Sequence, residues 1–191
     1  LLKKYPGAKW VEYDPINYDN VAAGAALAFG PGVAAHPNFD QAKVILSLDY
    51  DFLGADSPTT LPTRQFAAGR KIGEHPEDMN RLYMVEGQFS LTGGMADHRL
   101  RARVSEVKGV AMEIASEMGL LGPELKILKP TDQKTKFIAA LVKDLKANAG
   151  KALVVAGPRQ PAIVHALAHL INSSLNAPVT FTAGPAAGDQ V

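Results

Sequence analysis

The stretch Ala42–Leu48, which reads AKVILSL, decides the fold class of this chain. It is a nearly continuous apolar run, with Asp40 before it and Asp49 and Asp51 after it. A strand that is buried on both faces of a parallel sheet has this pattern, because helices cover it from both sides. Ala152–Ala156, which reads ALVVA, repeats the pattern. The sequence therefore predicts an α/β protein built around a parallel sheet.

The rest of the chain alternates strand patterns with helical patterns. Strands are predicted at residues 9–13, 42–48, 80–85, 152–156 and 178–182, and helices at residues 19–29, 63–72, 105–118, 131–148 and 161–175. Because such an order requires right-handed crossovers, we expect a doubly wound, mostly parallel sheet of about five strands with helices on both faces. This is a Rossmann-like or flavodoxin-like three-layer sandwich.

The sequence predicts a single domain. No repeat, low-complexity tract or linker divides residues 1–191, and the length suits one α/β unit. The chain starts at Leu1 without a methionine, so we expect it to be an excised fragment of a larger protein.

Composition excludes several functions. The formal net charge of +1 gives no electrostatic footprint for nucleic acid. The chain has no cysteine, which excludes disulfides, zinc–thiolate sites, cysteine nucleophiles and iron–sulfur ligation within it. No apolar stretch approaches the ~18–20 residues that span a bilayer, so we expect no direct membrane insertion. We predict neither a metal site nor a catalytic residue.

The loop after residues 42–48 is the first candidate site, because ligands of doubly wound sheets lie at the carboxyl ends of the strands. It carries Asp49, Asp51 and Asp56. These carboxylates could hold a hard cation or act as acid and base. The favoured alternative is that they cap and solvate the loop.

The loop after residues 80–85 is the second candidate. Gly93, Gly94 and neighbouring hydroxyls could form an anion-binding nest, with Arg99, Arg101 and Arg103 close by. No phosphate-loop pattern is present, so we favour a structured turn in which Asp97 accepts hydrogen bonds from backbone or arginine.

Two histidines, His165 and His169, lie four residues apart on a predicted helix and share a face. The spacing alone is a weak zinc signal, because Ala166 stands where a metalloprotease has glutamate. We expect partly buried, hydrogen-bonded histidines.

The second loop also carries a resemblance. Tyr83–Gln88, followed by Thr92, Ala96–Asp97, Leu100 and Arg103, resembles the segment "vIDPR…T…AD.hl..rPGTD..L" of molybdopterin oxidoreductases of the dimethyl sulfoxide reductase family. The runs SLTGGMADHRL and VVAGPRQPAIVHALAHL, at residues 90–100 and 154–170, are similar to the large iron–sulfur subunit of alternative complex III, a quinol-oxidising respiratory assembly.

The resemblance implies a molybdopterin-oxidoreductase-like domain of a respiratory electron-transfer complex at the periplasmic face of the bacterial inner membrane. Its partners would be other domains and subunits of that complex, with iron–sulfur clusters elsewhere in the full-length oxidoreductase. If molybdopterin guanine dinucleotide were retained, the residues matching the family's cofactor contacts would be Asp49, Asp51, Gly54, Glu86, Gln88, Thr92, Asp97 and Arg103.

Departures from the family pattern argue against that cofactor. Asp49 and Asp51 stand where cofactor-binding relatives offer glycine and asparagine, and Glu86–Gln88 replaces Asp-Pro-Arg. Carboxylates beside a pyrophosphate repel it. The resemblance therefore implies a cofactor-free structural and docking domain. The alternatives are a catalytic-subunit domain that binds molybdopterin guanine dinucleotide, and a small-anion or nucleotide binding module.

Overall fold

The centre of the molecule is a four-stranded parallel sheet. A computed structural model describes residues 3–9, 13–71, 78–122 and 132–184. The strands are β1 (Val33–Pro37), β2 (Val44–Leu48), β3 (Arg81–Glu86), β4 (His98–Arg101), β5 (Ala152–Ala156) and β6 (Val179–Ala183). The parallel sheet has the order β4-β3-β2-β5, and β1 pairs with β6 in a separate antiparallel ribbon.

The helices pack around this sheet. They are α1 (Asp19–Phe29), α2 (Leu61–Ala68), α3 (Leu91–Gly94), α4 (Val107–Glu117), α5 (Asp132–Ala147) and α6 (Ala162–Ser174), with 3-10 turns at Phe39–Gln41 and Val104–Glu106. None of the helices within the described ranges combines the length and the hydrophobicity needed to cross a bilayer.

Each face of the parallel sheet is buried in its own apolar cluster, which explains why β2 has no polar face. On one face, Leu46, Val85 and Val154 pack with apolar residues of α4, α5 and α6. On the other face, Ile45, Leu82 and Leu153 pack against the rings of Phe39, Phe52 and Phe66. Every residue of β2 is buried as a result, as the apolar run predicted.

The sequence located most of these elements. The predicted helices correspond to α1, α2, α4, α5 and α6, and four predicted strands correspond to β2, β3, β5 and β6. The strand predicted at residues 9–13 lies largely outside the described residues. The predicted loop after residues 80–85 contains the short helix α3.

The prediction of one parallel sheet of about five strands is wrong. The fold is mixed α/β, because β6 pairs antiparallel with β1 instead of joining the parallel sheet. β1 (VAAHP) was missed because it carries a proline and two small alanines, and β4 (HRLR) was missed because three of its four residues are polar. Short polar strands are typical of sheet edges, where the apolar pattern fades.

A side chain completes the hydrogen bonding at the β5 edge of the sheet. Asn172, a buried residue of α6, accepts a hydrogen bond from the Val154 N–H at 2.8 Å through Oδ1. Its Nδ2 donates to the Val154 carbonyl oxygen at 2.7 Å. The amide thus makes the two hydrogen bonds that a neighbouring strand would make, and α6 is fixed against β5.

We expect Asn172→Leu to lower the free energy of unfolding by about 2–4 kcal/mol, because it leaves a buried N–H and a buried carbonyl without partners. Chemical denaturation at pH 7 measures this loss. The matched control is Ser173→Ala, a change at an exposed neighbour on the same helix that we expect to stay within about 0.5 kcal/mol of wild type. An Asn172→Leu variant as stable as the control would contradict this account of the edge.

Candidate functional site

The carboxyl ends of β2, β3 and β5 meet around a cavity of about 710 Å³. Doubly wound sheets bind their ligands at these carboxyl ends of the strands. Residues of β3, of α3 and of the loops after all three strands line it: Asp49, Asp51, Leu53, Ala55, Asp56, Met84, Glu86, Gln88, Phe89, Ser90, Leu91, Gly94, Met95 and Arg159.

Asp51 joins the loop after β2 to α3. Its Oδ1 accepts hydrogen bonds from the Thr92 N–H at 2.9 Å and from the Thr92 hydroxyl at 2.8 Å, while Oδ2 accepts from the Ala55 N–H at 3.1 Å. A Cβ on Gly54 would lie 2.2 Å from Oδ2, so only glycine fits there while the carboxylate keeps this position. Burial raises the pKa of Asp51, but these hydrogen bonds outweigh it and lower the pKa below its usual value.

The Glu86 carboxylate occupies the loop that was weighed as an anion-binding nest. The side chain is 1% exposed, and its Oε2 accepts hydrogen bonds from the Ser90 hydroxyl at 2.5 Å and the Ser90 N–H at 3.3 Å. Its Oε1 accepts from Arg99 Nε at 2.5 Å, and a Cβ on Gly93 would lie 1.9 Å from that oxygen. The loop rich in glycine and hydroxyls therefore binds a carboxylate of the chain itself, which confirms the structured-turn interpretation.

Asp49 is the most constrained residue of the site. Its φ of 57° lies in the left-handed region, its side chain is almost fully buried, and its Oδ2 accepts a hydrogen bond from Gln160 Nε2 at 2.9 Å. A Cβ on Gly157 would lie 1.9 Å from the Asp49 carbonyl oxygen, so glycine is required there. Burial raises the pKa of Asp49 in spite of Gln160 and Arg159, which lower it. A strained, buried carboxyl on a cavity wall is a typical functional group.

Exposed side chains complete the wall. Phe89, Leu91 and Met95 are each more than half exposed, and the Arg99 guanidinium lies 4.9 Å from the Phe89 ring centroid. Arg159, which is 66% exposed, approaches the Asp56 carboxylate at 3.5 Å. The cavity thus offers apolar and aromatic surface beside carboxylates.

The eight predicted site residues divide into three groups. Four line the cavity: Asp49, Asp51, Glu86 and Gln88. Gly54 and Thr92 hold the loops in place through Asp51 and do not line it. The other two residues, Asp97 and Arg103, lie elsewhere.

Asp97 lies at the amino ends of the strands, opposite the cavity, because it precedes β4, a strand that the sequence did not reveal. Its carboxylate accepts hydrogen bonds from the Arg70 guanidinium at 2.6 and 2.9 Å and from the Leu82 N–H at 2.7 Å, as the structured-turn interpretation expected. Arg103 follows β4 and begins the 3-10 turn, where its N–H donates to Glu106 Oε2 at 2.8 Å.

Sequence reasoning missed Arg159 and Gln160. Both follow β5, which the sequence predicted, so the rule that ligands lie at carboxyl ends of strands was sufficient to include them. It also missed the exposed apolar side chains, which no local pattern distinguishes from core residues. The carboxylates after β2 mainly cap backbone, as the favoured interpretation held: Asp56 Oδ2 accepts from the Asp51 N–H at 3.0 Å.

The two histidines belong to the α6 packing surface. His165 is buried, its Nε2 has no hydrogen-bond partner among the described residues, and its pKa is lowered to about 4 by burial and by His169. The His169 ring packs 5.0 Å from Phe29 of α1. The expected burial of the histidines is confirmed, but the expected hydrogen bond is missing at His165 Nε2. Within the described ranges no three histidine, aspartate or glutamate side chains form a group that could hold a metal ion.

Comparisons with known proteins give a likeness of fold only. No protein-family profile and no curated protein sequence matches the chain. Its structure is similar to a chain of the formyltransferase/hydrolase complex FhcABCD from Methylorubrum extorquens, solved by X-ray crystallography in complex with methylofuran. The TM-score is 0.52 and the identity 19%, over 85% of this chain and 42% of that chain. The chain thus spans less than half of that neighbour.

This finding overturns the resemblance to molybdopterin oxidoreductases. The respiratory function, the assignment to alternative complex III and the role in electron transport rested on that resemblance and fall with it. Local structure explains the motifs: Ser90 caps α3, Gly93 makes room for Glu86, and Asp97 binds Arg70. The periplasmic location stays a prediction that no observation tests.

We expect Asp51→Asn to lower the free energy of unfolding by about 1–2 kcal/mol at pH 7, because an amide cannot accept all the hydrogen bonds from Thr92 and Ala55. The folded-state pKa of Asp51 is lowered, so its contribution is present above about pH 4 and is lost as pH falls further. Urea unfolding from pH 3 to 7 should show that the difference in free energy of unfolding between wild type and variant shrinks towards pH 3. Asp40→Asn, at an exposed carboxylate, is the control, and an equal effect there would contradict the capping role.

Asp49→Asn should instead raise the free energy of unfolding at pH 7. Because the folded-state pKa of Asp49 is raised, ionisation of Asp49 weakens the fold as pH rises above about 4. Asparagine removes that charge and also tolerates a left-handed φ. The variant should therefore match wild type in acid and exceed its stability at pH 7 in the same urea series. A variant less stable than wild type at pH 7 would show that the Asp49 charge supports the fold.

Proposed function

We propose that this chain is a ligand-binding domain of a protein related to formyltransferase/hydrolase complexes, and that the cavity at the carboxyl edge binds an uncharged or cationic organic molecule. The observation that carries the proposal is the cavity itself, whose wall includes the buried and conformationally strained Asp49. The argument has three parts: the charge of the wall, its apolar surface and the fold.

The charge of the wall disfavours an anionic ligand. The N–H groups of Ser90, Thr92 and Gly93, which would otherwise bind a phosphate, already donate to Glu86, Asp51 and the Ser90 hydroxyl. Four carboxylates line the cavity, while Arg159 is the one cationic residue on its wall within the described part of the chain, and Arg99 pairs with Glu86. A phosphate would therefore meet repulsion with few free donors in return.

The apolar part of the wall suits an organic body. Exposed Phe89, Leu91 and Met95 stand beside Leu53 and Met84 on the cavity wall. Ligand sites in proteins combine such surface with a few polar groups that set orientation. Asp49, held by Gln160, is the polar group whose carboxyl could orient a hydrogen-bond donor.

The fold likeness supports the biological setting. The similar chain comes from a formyltransferase/hydrolase complex that holds methylofuran, so we propose that this domain also works beside partner subunits and acts on or binds a related small molecule. We further propose that the domain carries no cofactor of its own, since the carboxylates on the cavity wall would repel the pyrophosphate of a dinucleotide.

Titration with methylofuran, followed by isothermal calorimetry, tests the proposal, with inorganic pyrophosphate as the anionic comparison. We expect methylofuran to bind and pyrophosphate not to bind. Ala55→Trp, at an exposed residue of the cavity wall, should fill the cavity and weaken methylofuran binding at least about tenfold.

The matched control is Ala67→Trp, at an exposed position on α2 that does not line the cavity, and it should bind like wild type. Absence of methylofuran binding would contradict the relation to formyl transfer. Binding of pyrophosphate, or methylofuran binding that Ala55→Trp leaves unchanged, would contradict the assignment of the cavity.

A further inference from the structure

The strand β4 forms an open edge of the parallel sheet. Among the described strands it pairs only with β3, in the register Tyr83↔His98 to Glu86↔Arg101. The Ala102 N–H donates to the Glu86 carbonyl oxygen of β3, so in this register His98 and Leu100 pair with β3. Because backbone groups alternate sides along a strand, the N–H and carbonyl groups of Arg99 and Arg101 point away from β3. The other edge differs, since Asn172 satisfies Val154 there.

The side chains of this edge separate into two kinds. His98 stacks on Tyr83 with ring centroids 4.5 Å apart, and Leu100 lies in the apolar cluster on the sheet face that α4 covers. Arg99 and Arg101 alternate with them and so project from the opposite face. The edge therefore presents an apolar side and a cationic side.

Two of the cations along this edge are available to a partner. Arg99 is taken by Glu86. Arg101 and Arg103 are exposed, and neither guanidinium has an ion pair within the part of the chain that the structure describes. Like charges across a strand pair are destabilising, so a second copy of β4 is a poor partner for this edge.

We propose that the free edge of β4 binds an extended segment of a partner protein in which acidic and apolar side chains alternate, and that this segment adds to the sheet as a fifth strand. Its backbone would pair with Arg99 and Arg101. Its acidic side chains would lie on the face of Arg101 and Arg103, and its apolar side chains beside Leu100. This is β-strand addition, in which backbone hydrogen bonds give affinity and alternate side chains give specificity.

The proposal does not depend on the cavity, because β4 contributes no residue to its wall. It accounts for a strand that exposes backbone groups beside unpaired arginines. Positive charge also protects sheet edges against aggregation, and that simpler role predicts no binding of an acidic strand.

The test uses the full chain and a fluorescein-labelled seven-residue peptide in which valine and glutamate alternate, followed by fluorescence polarisation. We expect saturable binding that is at least about tenfold tighter than binding of the same peptide with lysine in place of glutamate. The double variant Arg101→Glu with Arg103→Glu should reverse this preference. A glutamate peptide with N-methylated backbone amides should not bind, because it cannot donate hydrogen bonds.

Amide hydrogen exchange supplies the second readout. The glutamate peptide should slow exchange at the amides of Arg99 and Arg101, which simple charge attraction would not do. Lack of peptide binding, equal binding of both peptides, or binding without protection of these two amides would overturn the proposal. So would concentration-dependent protection without peptide, since the edge would then pair with a second copy of the chain.

Discussion

Two carboxylates that accept hydrogen bonds from one loop determine the shape of the carboxyl edge of this sheet. Glu86 ends β3 and turns back to Ser90, while Asp51 reaches from the loop after β2 to Thr92. Together they fix the loop and α3 over the strand ends. If either carboxylate pointed elsewhere, buried backbone donors would lose their partners, and the cavity wall would lose its form.

These contacts also explain why a loop rich in glycine and hydroxyls is not an anion site here. The same donors that recognise phosphate elsewhere are used inside the chain, and glycine is needed at Gly54 and Gly93 so that the carboxylates can approach. The cavity beside them keeps apolar surface and one strained carboxyl, Asp49. Because the hydrogen-bond donors of the loop are already used within the chain, we propose a ligand that is not an anion.

The sequence predicted the centre of the fold well and its margins poorly. β2 and β5 are buried on both faces, so their composition alone revealed them. β1 and β4 were not revealed, since β4 lies at an edge and β1 in a separate two-stranded ribbon, where side chains need not be apolar. The missed strand β4 had a direct consequence: Asp97, which was expected at the site, lies before β4 and therefore at the amino ends of the strands.

For the site, sequence reasoning identified the loops but not the use of their residues. That Asp49, Asp51 and Glu86 cluster at one edge follows from parallel strands, which the sequence predicted. Whether a carboxylate faces a ligand or a backbone N–H depends on distances that the sequence does not encode locally. The family resemblance failed for the same reason, since residues required by capping and close packing imitated a cofactor motif.

Scalar couplings across hydrogen bonds, measured by NMR on the isotope-labelled chain, test the central claim most directly. The account predicts couplings from the amide nitrogen of Thr92 to the Asp51 carboxyl carbon and from that of Ser90 to the Glu86 carboxyl carbon. It also predicts that these couplings persist when pyrophosphate is added. Absent couplings, or couplings that vanish as pyrophosphate binds, would show that the loop keeps its donors for an external anion.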